Sequence, residues 1–478
     1  NIAVLANRSV IAWSSAAHPY LETNNTITGE PITDEQEAWL GSCIYLVAAA
    51  TSPLYSYINQ NIGRKAAGYL TVLPLAIGWL LIAYAQSVTY LFAGRIIQGF
   101  SFGGVNVFQS MYISEMSEDS IRGALGAMRG ISTELGSLTM YIIGPFLGIT
   151  ETALVSLVFP LAFLFLFFWL PESPMFLLGK GRSQKALDAY IWFRRGDTEN
   201  AHEEFRKLDV VIQAQPEKMT IRQIMSSQDT RNAMVIALVL NVVMRLCGYL
   251  VVFGYISKLF EISGSSISRD ADPMIVGFLT LCATIVATFV TDTLGRRMLL
   301  LITLITQSFA LGILGIFIYL KDLGFDLSGL GVIPLICLSV FCICVIPGIG
   351  STTFIVISEI FRPEARGIAT AVSCSFSWIL AYISTQYHHN LEDVLGLYGC
   401  YWVYGTVSLL GALYIYLKVP ETKNRSLESI LEELNGNVPI RRKSIFKFKG
   451  RKSKQSKHDE FEMENVVEPV SITPLSQK

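Results

Sequence analysis

The sequence has few charged residues: they make up 16% of its 478 residues, whereas 51% are hydrophobic. Soluble domains carry about 25% charged residues. A soluble chain of this length would also divide into two or three domains with polar surfaces. Here the charges stand in short clusters between long apolar runs. The shortage of charge therefore excludes an ordinary soluble protein and predicts a membrane protein.

Residue types that carry catalysis or bind metals are also few and scattered. The eight cysteines lie in or beside apolar runs without a CxxC pair, and the five histidines are dispersed. Cysteines in such surroundings are typically buried as small hydrophobic residues. The sequence shows no nucleophile–base spacing, phosphate-binding loop or metal-ligand cluster. We therefore expect no enzyme activity, no cofactor, no metal site and no nucleic-acid partner.

Twelve runs are long and apolar enough to cross a membrane, since a helical span needs about 20 residues. The weakest is the first, which contains Asn7, Arg8 and His18. No cleavable signal peptide or initiating Met precedes it, so a short segment is expected to be missing. The predicted spans are residues 2–20, 38–58, 67–86, 88–113, 123–148, 152–170, 232–257, 273–292, 298–320, 331–357, 367–386 and 398–418.

The loops between these runs alternate in charge. Lysine and arginine mark the cytoplasmic side of a membrane protein, so the basic loops predict that both termini lie inside the cell. The basic set is Arg64, Lys65, Arg122, residues 180–231, Arg296, Arg297, Arg362 and Arg366. The acidic set is Glu22, Glu30, Asp34, Glu35, Glu37, Glu151, Glu392 and Asp393. Asn24 begins a sequon in the first outer loop and is a candidate glycosylation site.

Three loop motifs occur twice and in the same order. The motif pairs are Gly63-Arg64-Lys65 with Gly295-Arg296-Arg297, Glu115…Arg122-Gly123 with Glu359…Arg366-Gly367, and Pro171-Glu172-Ser173-Pro174 with Pro420-Glu421-Thr422-Lys423. Their common order and common side of the membrane predict a duplicated unit of six spans. Because six is even, both copies share one topology, and the solute path is expected between them near the midplane.

We therefore predict an all-α membrane protein with twelve transmembrane helices in two pseudo-symmetric six-helix bundles. The predicted divisions are a first bundle at 1–170 with a truncated first span, a cytoplasmic loop with short helices at 171–231, a second bundle at 232–418, and a cytoplasmic tail at 419–478. Beyond about residue 435 the tail is basic and then acidic, with little apolar content, which favours disorder. Its basic part is a candidate for contact with anionic membrane lipid.

As a set, these motifs and Gly94-Arg95…Gly99…Gly103 in the fourth span resemble the sugar porters of the major facilitator superfamily. Residues 12–15 and 66–100 are most similar to the facilitated trehalose transporters within that family. The resemblance covers the chain up to about residue 434. It implies alternating access by two rocking bundles, and facilitated uniport of a hexose or a disaccharide such as trehalose. A plasma-membrane location and transport by a monomer are expected, whereas the sequence does not indicate an oligomeric state.

The resemblance also implies a cytoplasmic latch that holds while the carrier opens outward. Partly desolvated pairs of arginine and carboxylate are short and strong, and Glu and Arg recur at the same spacing in both halves. The candidate latch residues are Arg64, Glu115, Arg122, Asp292, Arg296, Arg297, Glu359 and Arg366. The first half has Gln60 where the family has an acid, so its latch is expected to be weaker. The alternative is that these charges only signal topology.

The resemblance fails along the expected substrate path. Aligned on Gly248, Met244 and Arg245 replace two sugar-binding glutamines of the family, and Leu250 replaces an asparagine. The other candidate path residues are Ser137, Thr280, Phe354, Ser377, Trp378, Ala381 and Glu134. Sugar hydroxyls that leave water need many neutral donors and acceptors, and most of that set is missing. Trp378 and Phe354 would either stack on a sugar face or serve packing.

Two charges appear in that path instead. A central arginine such as Arg245 costs about 2.5–3.5 kcal/mol to insert, so a partner is expected. Helical rise puts Arg245 about 21 Å and Glu134 about 18 Å from the cytoplasmic end, which makes Glu134 the candidate partner, with Arg95 competing for it. A purely structural ion pair is the alternative reading. Residues 1–21 contain no acid, unlike proton-coupled relatives, which favours facilitated diffusion, although Glu134 keeps proton coupling open.

Three functions remain open at the level of sequence. The first is a uniporter for a hexose or disaccharide. The second is a carrier of the same fold for an anionic or less polar solute attracted by Arg245. The third is a receptor that binds a solute without transporting it and signals through its tail. In each case the expected partner is a small molecule, with a sugar favoured.

Overall fold

The computed structural model describes residues 1–21, 31–117, 119–194, 202, 205–206, 227–254, 271–423, 425 and 427–434. Within these ranges a few side chains, among them those of Arg122, Asp292 and Arg366, are outside the description. Asn24 and the tail beyond Leu434 also lie outside it. The described helices belong to one compact unit.

The first half of the chain forms six long helices followed by two short ones. These are α1 (Ile2–Leu21), α2 (Asp34–Asn61), α3 (Arg64–Ala83), α4 (Val88–Met116), α5 (Asp119–Ile143), α6 (Ile149–Phe167), α7 (Pro174–Gly179) and α8 (Ser183–Phe193). The first span, the weakest in sequence, is therefore a continuous helix that contains Arg8.

The second half repeats the arrangement, but two of its spans are built from more than one helix. They are the seventh, made of α9 (Gln228–Leu246) and α10 (Tyr249–Gly254), and the tenth, made of α13 (Ile333–Val345), a π-helical turn (Ile346–Ser351) and α14 (Thr352–Ile360). The other helices are α11 (Ala271–Leu294), α12 (Arg296–Asp322), α15 (Pro363–Gln386), α16 (His388–Lys418) and the short α17 (Leu427–Leu434).

The helices follow the predicted spans closely. Eight helical segments in the described part of the chain are long and apolar enough to cross a membrane. The largest difference is at the twelfth span, predicted from residue 398: its helix begins at His388 and is broken at Gly396, where φ is 70°. The prediction of an all-α membrane protein is confirmed.

Local sequence explains where α2 begins. Thr33 accepts a hydrogen bond from the backbone N–H of Gln36, and the Gln36 side chain accepts one from the backbone N–H of Thr33. This reciprocal capping box satisfies two amides that have no partner inside the helix. Asp34, Glu35 and Glu37 occupy the first turn, where negative charge is favourable near the positive end of the helix dipole. These acids therefore start the helix as well as marking its side of the membrane.

Glycine spacing in α4 has a packing role. A Cβ placed on Gly94 would lie 3.0 Å from the carbonyl oxygen of Gly78 in α3, and one on Gly78 would lie 2.8 Å from the carbonyl oxygen of Gly94. Small residues allow helix backbones in a membrane to approach this closely. Arg95, on the position after Gly94, is fully buried in the first bundle.

The two bundles contact each other through α2 with α15, α5 with α11, and α1 with α10. Side-chain contacts between them lie toward the end of the bundle where α1 finishes, which we name the Leu21 end; the opposite end is named the Arg64 end. Trp39 packs on Tyr382 with ring centroids 5.9 Å apart. Ser42 donates a hydrogen bond of 2.5 Å to Gln386. The bundles are thus joined at the Leu21 end in this conformation.

Candidate functional site

Arg245 lies in the last turn of α9 and faces α15 of the same bundle. Its Nε donates a hydrogen bond to Ser377 Oγ at 2.8 Å, and its guanidinium lies 4.7 Å from the centroid of the Trp378 ring. The residue is 3% exposed. Among the described residues, its two terminal amino groups have no hydrogen-bond partner. Neither of these groups is among the fully buried polar atoms that lack a partner, so they are not completely enclosed by the protein.

Trp378 also joins the two bundles. Its ring is stacked with that of Tyr45 from α2, with centroids 5.8 Å apart and planes inclined by 8°. Phe102 from α4 meets it edge-on at 5.9 Å. We name Tyr45, Phe102 and Trp378 the aromatic shelf. These rings are buried, at 3%, 1% and 8% exposed, so they cover one another beside a cation at the junction of the two halves.

The predicted pair of Arg245 and Glu134 is wrong for this conformation. Glu134 is 1% exposed and interacts with the charge of Arg8 and with the hydroxyl of Thr280. Its Oε2 atom has no hydrogen-bond partner in the described part of the chain. Counting helical rise gives a depth in the membrane but not the face of the helix. Glu134 points toward α1 and α11, whereas Arg245 points toward α15.

Arg95, the expected competitor for Glu134, is bound elsewhere. It donates hydrogen bonds to the carbonyl oxygens of Leu40 at 2.9 Å and Val10 at 2.8 Å, and to Ser14 Oγ at 2.8 Å. Its guanidinium lies 5.4 Å from the Trp13 ring. These contacts tie α4 to α1 and α2 within the first bundle, so Arg95 has a structural role here.

Sequence reasoning missed Arg8 as a site residue. Its Nε donates to Ser137 Oγ at 3.0 Å, and its guanidinium lies 5.5 Å from the Tyr249 ring and 5.2 Å from the Phe253 ring of α10. Its Nη2 is buried without a partner among the described residues. The available signal was an arginine inside an apolar run, which marks a functional position in a membrane. It was instead counted against the first span.

The two arginines share one electrostatic environment. Tyr45 and Tyr249 each interact with both Arg8 and Arg245, and the two cations also act on each other. Glu134 offsets part of this charge through Arg8. Arg95 acts on Tyr45 as well, so the buried guanidinium groups around Tyr45 outnumber the single carboxylate of Glu134. We name Arg8, Glu134 and Arg245 the central charge cluster.

The remaining predicted path residues divide into polar supports and packing. Ser137 and Ser377 accept the hydrogen bonds from the two arginines, and Thr280 lies against Glu134. Packing residues are Met244, Leu250 and Ala381, which are buried in the apolar core, and Phe354, which is half-buried against it. Of these path residues, the structure thus brings Ser137, Thr280 and Glu134 together with Arg8, and Ser377 and Trp378 together with Arg245.

A cavity lies between α1, α2, α10 and α15, on the Leu21 side of the aromatic shelf. Tyr45 and Leu250 contribute to its wall, and so do Trp13, Ser14 and Thr385. The indole N–H of Trp13 and the hydroxyl of Thr385 are buried without hydrogen-bond partners among the residues that the structure describes. Through Tyr45, the cavity borders the aromatic shelf.

The loop motif of the first half builds a compact polar network. Arg64 forms a bidentate pair with Glu115, with its Nε 2.9 Å from Oε2 and its Nη2 2.7 Å from Oε1. Glu172 accepts the backbone N–H groups of Arg64 at 3.0 Å and Lys65 at 3.1 Å. Gly63 precedes them with φ of 131°, a conformation that glycine adopts readily. Any Cβ there would collide with the Glu172 carboxylate.

The second half repeats this network more loosely. Arg296 Nη2 lies 3.3 Å from Glu359 Oε1, and Glu421 accepts the backbone N–H groups of Arg296 at 3.0 Å and Arg297 at 3.2 Å. Arg297 donates to the carbonyl oxygen of Tyr416 at 2.6 Å. Each of these described pairs joins helices of one bundle. The side chains of the other candidate latch residues, Arg122, Asp292 and Arg366, lie outside the described residues.

Comparison with known proteins agrees with this architecture. The profile of a family described as "Sugar (and other) transporter" matches residues 5–434. The facilitated trehalose transporter Tret1 of Polypedilum vanderplanki is 29% identical over 442 residues, covering 91% of this chain and 88% of that protein. The Tret1 protein of Bombyx mori is 31% identical over 402 residues, covering 84% and 79% respectively.

Among solved structures, the major facilitator proton:xylose symporter XylE bound to 6-bromo-6-deoxy-D-glucose superposes with a TM-score of 0.72 at 22% identity. The match covers 91% of this chain and 97% of that one. It confirms the prediction of the major facilitator fold with two six-helix bundles. Because the family profile spans nearly the whole chain and the fold agrees with it, the chain belongs to the sugar transporter family.

Proposed function

We propose that this carrier moves a small polyhydroxy solute of the sugar class, with hexoses and disaccharides such as trehalose as the first candidates. The observation that carries the proposal is the aromatic shelf, where Trp378 of one bundle stacks on Tyr45 of the other. The rings cover one another in this conformation, and parting of the bundles would free them for the apolar face of a sugar ring. Sugar-binding pockets of this kind combine apolar walls with a few placed polar groups. The relatives named as trehalose transporters support the same substrate class.

Alternating access follows from where the bundles touch. Contacts such as Trp39 with Tyr382 and Ser42 with Gln386 join the bundles at the Leu21 end. Opening these contacts while new ones form at the Arg64 end would expose the aromatic shelf to the other side of the membrane. The polar networks around Arg64 and Arg296 would act as the latch by holding each bundle's loops in shape while the two bundles meet there.

We favour uniport over proton coupling. The α1 helix, which accepts hydrogen bonds from Arg95 through the carbonyl oxygen of Val10 and the hydroxyl of Ser14, contains no acidic residue. Proton coupling in this family is expected to use a carboxylate beside that arginine. Glu134 is the acid available for the alternative, since it is buried at the centre. The solute would therefore move down its own concentration gradient.

The loop charges support a plasma-membrane carrier with the Arg64 end and both termini in the cytoplasm. In this scheme residues 1–170 and 232–418 are the moving bundles, residues 171–231 connect them, and residues 419–478 form the tail. A monomer would be sufficient, since the aromatic shelf and the central charge cluster are contained in one chain. Asn24 would lie outside the cell, where glycosylation takes place.

Transport assays in vesicles test this function. Purified protein in liposomes should take up labelled trehalose or glucose saturably, with the same initial rate with and without an imposed pH gradient. Uptake driven by a pH gradient and abolished by Glu134→Gln would instead establish proton coupling. Solute binding without flux in either direction would favour a sensor. The matched control is Arg182→Gln, because Arg182 is exposed on the connecting segment and its replacement should change nothing.

A further inference from the structure

The last described helix is docked against the second bundle. The α17 helix (Leu427–Leu434) contacts α9 and α14, and its residues Ile430 and Leu431 are buried. Asn232 donates a hydrogen bond of 2.9 Å to the carbonyl oxygen of Leu434. Asn232 lies four residues after the first residue of α9, which is a helical rise of about 6 Å. Leu434 is therefore fixed near the point where the seventh span begins.

The sequence after this fixed point is strongly basic. Nine of the residues from 441 to 457, which we name the basic segment, are Lys or Arg, and none is Asp or Glu. Ile445, Phe446 and Phe448 stand among them. The nine cations are Arg441, Arg442, Lys443, Lys447, Lys449, Arg451, Lys452, Lys454 and Lys457. Because Arg441 comes seven positions after Leu434, the chain can carry it no more than about 25 Å from that residue.

We propose that the basic segment binds the anionic phospholipid headgroups of the bilayer that holds the carrier. The negative surface potential of such a bilayer attracts clusters of Lys and Arg beside a span, and each cation near the surface strengthens binding by about fivefold. The apolar side chains among the cations add contact with the interfacial region, where aromatic rings are favourable. The inference goes beyond the proposed function, and only its assignment to the cytoplasmic leaflet rests on the orientation proposed there.

The position of α17 favours a lipid surface over a soluble acidic partner. Docking of Leu434 near the start of a span keeps the following residues beside the headgroups, so the effective concentration of lipid around the basic segment is high. A soluble partner would lose its translational and rotational freedom on binding, whereas the bilayer already surrounds the protein. The tether therefore makes lipid the ligand that the basic segment meets first.

Acidic residues in the same part of the chain are the competing partners. Glu428 and Glu432 are exposed on α17, and five acids follow the basic segment between residues 459 and 468. Pairing of all seven with the nine cations would still leave two positive charges. Exposed ion pairs also contribute little free energy, whereas a charged bilayer acts on all the cations together. Lipid binding is thus expected to prevail over pairing within the chain.

The first experiment uses the full chain in nanodiscs, with a fluorescent amino acid in place of Gln455 inside the basic segment. The discs contain phosphatidylcholine alone or mixed with phosphatidylserine, and both kinds carry the same fraction of lipid with a spin-label quencher on its headgroup. We expect stronger quenching in the discs with phosphatidylserine. High salt should abolish the difference, because it screens the attraction between exposed charges. Equal quenching in both kinds of disc at low salt would overturn the inference.

Matched charge variants test the cations. The cation variant combines Lys447→Gln, Lys449→Gln, Arg451→Gln and Lys452→Gln, and the acid variant combines Glu460→Gln, Glu462→Gln, Glu464→Gln and Glu468→Gln. The cation variant should lower the ratio of lipid-bound to free segment by about 100-fold or more, since each cation contributes about fivefold. The acid variant should keep or raise that ratio. Wild-type quenching in the cation variant would contradict the proposal, and so would lipid binding that appears only in the acid variant.

The aromatic residues are tested separately. Phe446→Ala combined with Phe448→Ala should weaken quenching in the discs with phosphatidylserine and leave its salt dependence in place, because the charges are unchanged. Quenching equal to that of the wild type would contradict the part of the proposal that assigns the rings to the bilayer interface.

The same discs distinguish lipid from a protein partner and separate this inference from the proposed function. Fluorescence that responds to calcium-loaded calmodulin, an acidic protein, and not to phosphatidylserine would assign the basic segment to a protein and overturn the proposal. Because a nanodisc exposes both faces, the lipid response depends neither on orientation nor on transport. Lipid-dependent quenching in a protein that takes up no solute would support the lipid contact and contradict the transport function. Normal solute uptake with equal quenching in both kinds of disc would do the reverse.

Discussion

The carboxylate of Glu172 caps the first turn of α3 by accepting the backbone N–H of Arg64 at 3.0 Å. The same arrangement recurs in the second half, where Glu421 accepts the backbone N–H of Arg296 at 3.0 Å. The N-terminus of a helix presents unpaired N–H groups and a partial positive charge, so a carboxylate there is stabilising. The duplicated Pro-Glu motifs therefore make the same connection in both halves. Glu172 holds the loop after the sixth span against α3. Glu421 holds the loop after the twelfth span against the helix that follows the eighth span.

Glu172→Gln should lower the stability of the purified carrier by about 1 kcal/mol, because it keeps an acceptor but removes the charge from the helix terminus. Glu421→Gln should have a similar effect. The measurement is the melting temperature in detergent. Glu432→Gln is the matched control, since Glu432 is exposed on α17. A melting temperature unchanged in both capping variants would show that the caps contribute little to folding.

The Arg64–Glu115 pair should show a larger coupling energy than the Arg296–Glu359 pair. The first is bidentate, with side chains 11% and 10% exposed, and the second is a single 3.3 Å contact with side chains 17% and 30% exposed. The expectation based on Gln60, that the first-half network is weaker, stays a prediction, because the side chain of its second-half counterpart Asp292 lies outside the described residues. Double-mutant cycles with glutamine at each position, read as unfolding midpoints and exchange rates, measure both couplings.

For the first pair, the double-mutant cycle should give a coupling energy of roughly 1–3 kcal/mol. Each single variant should be less stable than the double variant, because a single change leaves one charge unpaired. Slower exchange in the single variants, with folded protein retained, would support the latch. Normal exchange rates in all variants would leave the charges as topology signals only.

The stack of Tyr45 on Trp378 should control closure at the Leu21 end. Tyr45→Ala removes ring contact between the bundles and should favour conformations open at that end, whereas Tyr45→Phe keeps the ring. Labelling of a cysteine introduced at Ser42, beside the bundle junction, by a membrane-impermeant reagent reports the opening. We expect faster labelling with Tyr45→Ala than with Tyr45→Phe. Equal labelling rates would show that the stack does not hold the bundles together.

The alternation of loop charge predicts the orientation of the chain. An epitope inserted between residues 195 and 200 should be protected in intact cells, and one inserted between 24 and 30 should be accessible to antibody. Permeabilised cells are the control for the first epitope. The opposite pattern would reverse the orientation, and with it the assignment of the Arg64 end to the cytoplasm.

The apolar runs of the sequence determined the spans. A chain in lipid must satisfy its backbone hydrogen bonds internally, which leaves helices as the choice for long apolar runs. The α1 helix forms despite Arg8 because that side chain finds Ser137 and two aromatic rings in neighbouring helices. The duplicated motifs likewise determined the family, since their residue types, spacing and order are read directly from the sequence, whereas their contacts join distant positions such as Arg64 and Glu172.

Tertiary structure alone decided which charges meet. Helical rise places Arg245 and Glu134 at similar depth in the membrane. Which residues they contact at that depth depends on how each helix is rotated about its axis and on which helices lie beside it. Packing turns Arg245 toward Ser377 and Trp378 and leaves Glu134 beside Arg8. Those rotations depend on contacts between residues more than a hundred positions apart, as Arg8 and Ser137 are. Such contacts arise when the helices assemble, because no short stretch of sequence specifies both partners.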